Sequence, residues 1–288
     1  MDVLVSEVVG FCHGVEGAVA GVLQQRRPGR TFTLGPLIHN PQVVRRLEEE
    51  GVAVRHSLED FQAGEVLVIP AQGAQQRVWE EAERRQIPLL DFTCPELQRT
   101  RSLLQEAARQ KYLLLFLGDA GHTETESLLS FLPEARLLSG LIVGVDFEPV
   151  LNGLHLGNKR VALFAQSTQS SELLASFAAA LVPQVTELRV FNTICAATRR
   201  RQESLRRILP MVEAVVVVGG RNSANTRRLA EVAEREGKRV FYLEKADELQ
   251  TEWFRGITAV GVASGASTPA SVVEEVVAGL KRISASFP

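Results

Sequence analysis

The chain has 288 residues and a formal charge of −2, with 32 basic side chains against 34 acidic ones. That balance argues against a nucleic acid or an anionic membrane as partner, since either calls for a basic excess or patch. No run of about 18 apolar residues is present to span a bilayer, and three far-apart cysteines make no disulfide framework, so the expected compartment is the reducing cytosol.

The first stretch, MDVLVSEVVGF, lacks a basic segment and a small-residue cleavage site, so it reads as a strand rather than a signal peptide. It reaches Cys12, a helix-like stretch follows, and the strand TFTLG leads to a polar turn with His39 and Asn40. His39 precedes Asn-Pro and the helical pattern QVVRRLEEEG, which places it at a helix start. VLVIPAQ is a strand ending at Gln72, and LLDFTC is another ending at Cys94. The helical pattern PELQRTRSLLQEAARQKY and the apolar run LLLFLG then lead to a turn containing His122 and Glu124, with Glu126 beyond. In isolation such a pair is expected at the surface.

VALFAQS ends at Ser167, with Thr168 next to it. LRVFNTIC ends at Cys195 and passes into ATRRRQESLRRIL, where the run Arg199 to Arg201 is expected on a solvated helix face. AVVVVGG opens onto Asn222, Ser223 and Asn225, at what looks like the capped start of a helix. The last strand pattern, ITAVGVASGAS, contains Ser264 and ends at Ser267, followed by Thr268.

The pattern repeats. From cysteine to polar turn the distances are 27, 28 and 28 residues (Cys12 to His39, Cys94 to His122, Cys195 to Ser223). Gln72, Ser167 and Ser267 follow their cysteines by 60, 73 and 72 residues. Short continuous apolar strands alternating with helical patterns indicate an α/β protein with small, mainly parallel sheets covered on both faces. The expected units are 1–94, including the N-terminal strand, 95–193 and 194–288. Ligands of such sheets bind beyond the carboxyl ends of the strands, where the singled-out residues fall.

One cysteine at a strand end is ordinarily a small buried hydrophobe. Three in the same slot of a repeated unit suggest a shared metal centre instead. Thiolates select zinc or an iron–sulfur cluster, and spacing alone does not separate the two. The lack of close CxxC pairs and of an evident fourth ligand favours the cluster. The helix start at Ser223 and the hydroxyl-rich turns around Ser167 and Ser267 suit an anion, with simple helix capping as the alternative.

Taken in order, GFCHGV, LGPLIHNPQVV, DFTCP, NTICAATRRRQ, GGRNSANTRRL and SGASTP resemble the 4-hydroxy-3-methylbut-2-enyl diphosphate reductase family, also called LytB or IspH, over nearly the whole chain. The resemblance implies a trefoil of three α/β domains around a 4Fe-4S cluster with three cysteine ligands, Cys12, Cys94 and Cys195, and one open iron. It implies reductive dehydroxylation of an allylic alcohol diphosphate to isopentenyl and dimethylallyl diphosphate, with ferredoxin or flavodoxin as electron donor. His39, Ser223, Asn225 and Ser267 match diphosphate-binding positions, with Asn222 beside them. Glu124 matches the proton-delivering acid, with His122 close to it, and Ser167 replaces a threonine near the substrate hydroxyl.

Three departures stand out. Ala71-Gln72-Gly73 replaces the family's usual Ser-His-Gly, so Gln72 substitutes an uncharged side chain for a histidine that binds diphosphate. Ala224 lacks a hydroxyl common there, and Phe92 replaces a small residue, which is expected to alter packing near Cys94. These changes leave open a paralogue that uses the same chemistry on a different substrate. A cluster-based redox sensor is the alternative of another class.

Overall fold

The computed structural model describes residues 1–132, 137–142, 156–157 and 159–286. Its twelve described strands form three four-stranded parallel sheets. The first contains β2 (Thr31–Leu34), β3 (Val52–Arg55), β4 (Val66–Ile69) and β5 (Leu89–Asp91), in the order β3-β2-β4-β5. The second contains β6 (Leu113–Leu117), β7 (Leu137–Ile142), β8 (Arg160–Ala165) and β9 (Glu187–Val190), in the order β7-β6-β8-β9. In the third, β10 (Ala214–Val218), β11 (Arg239–Leu243) and β12 (Ala259–Ser264) are joined by β1 (Asp2–Val5), in the order β1-β12-β10-β11.

The three orders are the same pattern, with an edge strand that leads to a cysteine lying beside an inner strand. This corrects the placement of the N-terminal strand, which belongs to the third sheet rather than to the first unit. The reason is pairing. The last third of the chain supplies three strands and leaves the edge of β12 open, and β1 fills it with Asp2 opposite Ala259 and Val5 opposite Val262. The N-terminal ammonium also donates to Ser284 Oγ at 2.8 Å.

Nine α-helices are described: α1 (His13–Gln25), α2 (Pro41–Glu49), α3 (Gln76–Arg84), α4 (Pro95–Arg109), α5 (Thr123–Ser130), α6 (Ser171–Leu181), α7 (Ala196–Ile208), α8 (Ala224–Arg235) and α9 (Ala270–Ser286). They cover both faces of the parallel sheets, so the inner strands carry no polar alternation. In β10, Val216 and Val218 enter one core with Val273, Val276 and Leu280 of α9. Val215 and Val217 enter the opposite core with Leu205 of α7 and Leu229 of α8. The second sheet divides likewise. Leu115 and Leu163 face Phe177 of α6, and Phe116 and Phe164 face Leu104 of α4. Each such side chain stabilises the fold by about 1.5–3 kcal/mol on burial.

The chain separates into two compact units: 1–16, 38–46 and 196–288 form one, and 17–37 with 47–195 form the other. No described helix is long and apolar enough to cross a membrane.

Candidate active site

Each cysteine occupies the same local position. Cys12 N–H donates to Ala266 O at 3.0 Å, Cys94 N–H to Ala71 O at 2.9 Å, and Cys195 N–H to Ser167 O at 2.9 Å. In every case the acceptor lies just past the inner strand paired with the strand that leads to the cysteine. Each cysteine also stands immediately before a helix, α1, α4 or α7. The helix N-terminus carries partial positive charge, which suits a negatively charged sulfur. All three cysteines are half-buried, and none of them is in a disulfide. Among the described residues, no three His, Cys, Asp or Glu side chains are grouped so as to hold a single metal ion.

The loops before the cysteines are tied down too. Thr193 Oγ1 donates to Ala165 O and accepts Ala165 N–H, and Gln98 Nε2 donates to Thr93 O at 3.0 Å. Phe92 packs where α1 makes room for it: a Cβ on Gly21 would lie 2.4 Å from Phe92 Cε1.

In the unit that carries Cys12, the polar turns meet around His39. Ser267 Oγ donates to His39 O at 3.1 Å. Gly220 approaches the same carbonyl so closely that a Cβ would sit 2.4 Å from it, which explains the glycine. Burial lowers the pKa of His39, because the charged imidazolium loses its hydration. Ser223 caps α8, its Oγ accepting Thr226 N–H at 3.3 Å. Asn225 is only 6% exposed, yet neither its Oδ1 nor its Nδ2 has a hydrogen-bond partner among the described residues. A buried amide left this way is unfavourable unless something binds it. Asn222, on the same turn, is exposed.

In the other unit Glu124 is 4% exposed, which corrects the expectation of a surface pair. Its Oε1 accepts Ser167 N–H at 2.6 Å and its Oε2 accepts the Ser167 hydroxyl at 2.7 Å. Burial raises its pKa, only partly opposed by the two bonds from Ser167. The His122 side chain caps α5, Nδ1 accepting Glu124 N–H at 3.2 Å. Ser167 therefore joins Glu124 to the peptide that fixes Cys195. Gln72 has its amide nitrogen on Pro36 O at 2.9 Å. Its neighbour Ala71 accepts from Cys94 and donates to Leu37 O at 3.1 Å.

A family model described as LytB protein matches residues 3–281. The chain belongs to the LytB family. It is 35% identical to the 4-hydroxy-3-methylbut-2-enyl diphosphate reductase of Aquifex aeolicus, covering 98% of this chain and 97% of the relative. It is 38% identical to the reductase of the same name from Geobacter sulfurreducens, covering 96% of each. A solved structure of (E)-4-hydroxy-3-methyl-but-2-enyl diphosphate reductase, described as the terminal enzyme of the non-mevalonate pathway, is 33% identical with a TM-score of 0.64, covering 98% of this chain and all of that one. The reductase structure from Plasmodium falciparum, at 23% identity and TM-score 0.88 over 96% of this chain and 87% of that one, supports the fold.

Sequence reasoning missed two side chains that steady the loops around the candidate site. Arg201 is 2% exposed, not solvated; its guanidinium donates to Gly10 O at 2.5 Å, in the loop before Cys12. The signal was present, since Thr198, Arg201, Leu205 and Ile208 recur at helical spacing and form the buried stripe of α7. Gln166, whose Oε1 accepts Asp119 N–H at 2.7 Å and so steadies the turn before His122, carried no such signal.

Proposed function

We propose that this chain reduces 4-hydroxy-3-methylbut-2-enyl diphosphate to isopentenyl and dimethylallyl diphosphate, the last step of the methylerythritol phosphate route to isoprenoids. The observation that carries this reading is the buried Glu124 carboxyl, bonded through Ser167 to the loop that holds Cys195, in a chain of the LytB family.

Cys12, Cys94 and Cys195 are assigned as the ligands of one 4Fe-4S cluster, with the three sheets as a trefoil around it. The donor set fits that group, being three cysteines outside any disulfide, each at a helix N-terminus and each fixed by its own N–H. When bound, the cluster supplies electrons and one iron without a protein ligand. His39, Ser223, Asn225 and Ser267 hold the diphosphate, with Asn222 and Gln72 at its margin. Asn225 Nδ2 gains an acceptor that it lacks among the described residues. Its amide nitrogen donates to a phosphate oxygen, and the anion beside His39 restores the proton that burial disfavours. Glu124, whose burial favours the protonated form, delivers a proton as the hydroxyl leaves as water. Ser167 holds the carboxyl in place, and His122 fixes the turn that presents it. The electron donor is assigned as a ferredoxin or flavodoxin, and the compartment as the cytosol, in keeping with three cysteines that form no disulfide.

The test is anaerobic turnover of the allylic diphosphate with a strong reductant. No product from protein that carries its full iron and sulfide refutes the assignment. A second reading, a paralogue with a related substrate, draws on Gln72 and Ala224: the Gln72 nitrogen is engaged by Pro36, and Ala224 is buried without a hydroxyl. Weak diphosphate binding that Gln72→His strengthens supports it; unchanged affinity removes its motive.

A further inference from the structure

The turn between β10 and α8 is held from outside by a device that neither the repeat nor the anion-binding residues require. The peptide joining Gly220 to Arg221 is gripped at both edges. Tyr242 Oη donates to Gly220 O at 2.6 Å, and Arg221 N–H donates to Glu244 Oε1 at 2.8 Å. Tyr242 is in β11 and Glu244 lies just past its end, two residues apart, so both side chains leave the strand direction on the same face. Gly220 O also accepts Ser223 N–H at 2.9 Å. The gripped peptide thus sets both the start of α8 and the approach of Gly220 to His39 O. Glu244 is tied in turn to the helix after His39, its backbone carbonyl accepting Gln42 Nε2 at 3.0 Å. Burial pushes the Tyr242 phenol up to about 12, so it remains a neutral donor at any working pH.

We propose that Tyr242 and Glu244 are positioning residues for the diphosphate pocket: by clamping the Gly220–Arg221 peptide they fix Ser223 and Asn225 relative to His39 and Ser267. The clamp touches no substrate atom. Its effect is on how ready the pocket is before the anion arrives, so loss of the clamp weakens binding without changing the reacting groups. The inference rests on the assignment of those four residues to the diphosphate.

The experiment is calorimetric titration of the anaerobic, cofactor-loaded protein with inorganic pyrophosphate, followed by steady-state turnover. Tyr242→Phe deletes one hydroxyl and is expected to raise the pyrophosphate Kd roughly 3- to 10-fold, the loss of one neutral hydrogen bond. KM for the allylic diphosphate rises by a similar factor while kcat stays within about twofold. Tyr112→Phe is the control, since it too removes a tyrosine hydroxyl, one bonded to Glu187 and Arg160 away from this turn, and leaves the pyrophosphate Kd unchanged. Glu244→Ala reproduces the Tyr242→Phe effect, whereas Glu244→Gln, which keeps an acceptor for Arg221 N–H, binds at least as tightly as wild type. A Tyr242→Phe Kd within about twofold of wild type, or a fall in kcat with KM unchanged, overturns the clamp. Wild-type protein that binds no pyrophosphate overturns the pocket assignment itself, and the clamp with it.

Discussion

Replacing Glu124 by Gln separates chemistry from structure at one position. The buried carboxyl accepts two hydrogen bonds from Ser167, one from the amide and one from the hydroxyl. Glutamine keeps both contacts: its Oε1 accepts the amide, and the hydroxyl turns to accept from Nε2. What it removes is the proton. General acid catalysis of this kind contributes roughly 100- to 10,000-fold, or about 3–5 kcal/mol of barrier, so turnover falls by that factor while KM changes little. The sign of the stability change provides a second check. Burial raises the folded-state pKa of Glu124 above its unfolded value. Its contribution to stability is therefore present below the unfolded pKa and lost as pH rises through the folded one. Glutamine has no such loss, so at neutral pH the variant unfolds at the same temperature as wild type or a higher one, and the difference narrows in acid. Stopped assays of product from anaerobic protein, with thermal unfolding followed across pH, measure both. Wild-type turnover in Glu124→Gln refutes the proton-donor assignment, and the same variant of a redox sensor would keep its redox response.

Asn225→Ala removes a buried amide that has no hydrogen-bond partner among the described residues and is proposed to bind the anion. Thermal unfolding of the free protein is expected to change little or improve, while pyrophosphate affinity falls about tenfold. Pyrophosphate binding by wild type is expected to tighten from about pH 8 to about pH 6, by up to about tenfold per unit, because the anion restores a proton to His39; pH-independent binding in calorimetry contradicts this. Gly21→Ala, which helix propensity alone favours by about 1 kcal/mol, is instead expected to destabilise the protein in chemical denaturation, since its Cβ would meet the Phe92 ring at 2.4 Å. Phe92→Ala in the same chain reverses that sign.

Much of this was legible because the repeat spoke twice. The inner strands are buried on both faces, so they read as unbroken apolar runs, and the residue after each run is forced to the sheet end where ligands bind. Cys12, Cys94 and Cys195 could be grouped before any contact was known because each precedes a polar turn by 27 or 28 residues. The partner of β1 could not be found that way. Nothing local in VLVSEVV says which open edge it fills, and the choice depends on β12 having two strands, β10 and β11, on one side and none on the other. Arg201 was misjudged for a related reason. Charge was weighed above helical spacing, although the backbone carbonyl of Gly10 offers the guanidinium a buried acceptor.

Gln72 shows why a residue's type and its place carry different information. From its type alone it is a histidine position that lost its charge, and the consequence falls on the anion. Its place adds a second consequence. The amide nitrogen bonds Pro36 O while Ala71 N–H bonds Leu37 O, so two adjacent residues fasten one loop to another. The same Ala71 accepts the N–H of Cys94 at 2.9 Å. A side chain that reaches an anion and one that steadies a cysteine loop are under different demands: the first favours charge, the second an amide with a fixed donor. At this position glutamine answers the second demand directly and the first only with a neutral donor. The departure from the family pattern is thus a substitution with a structural partner, Pro36 O.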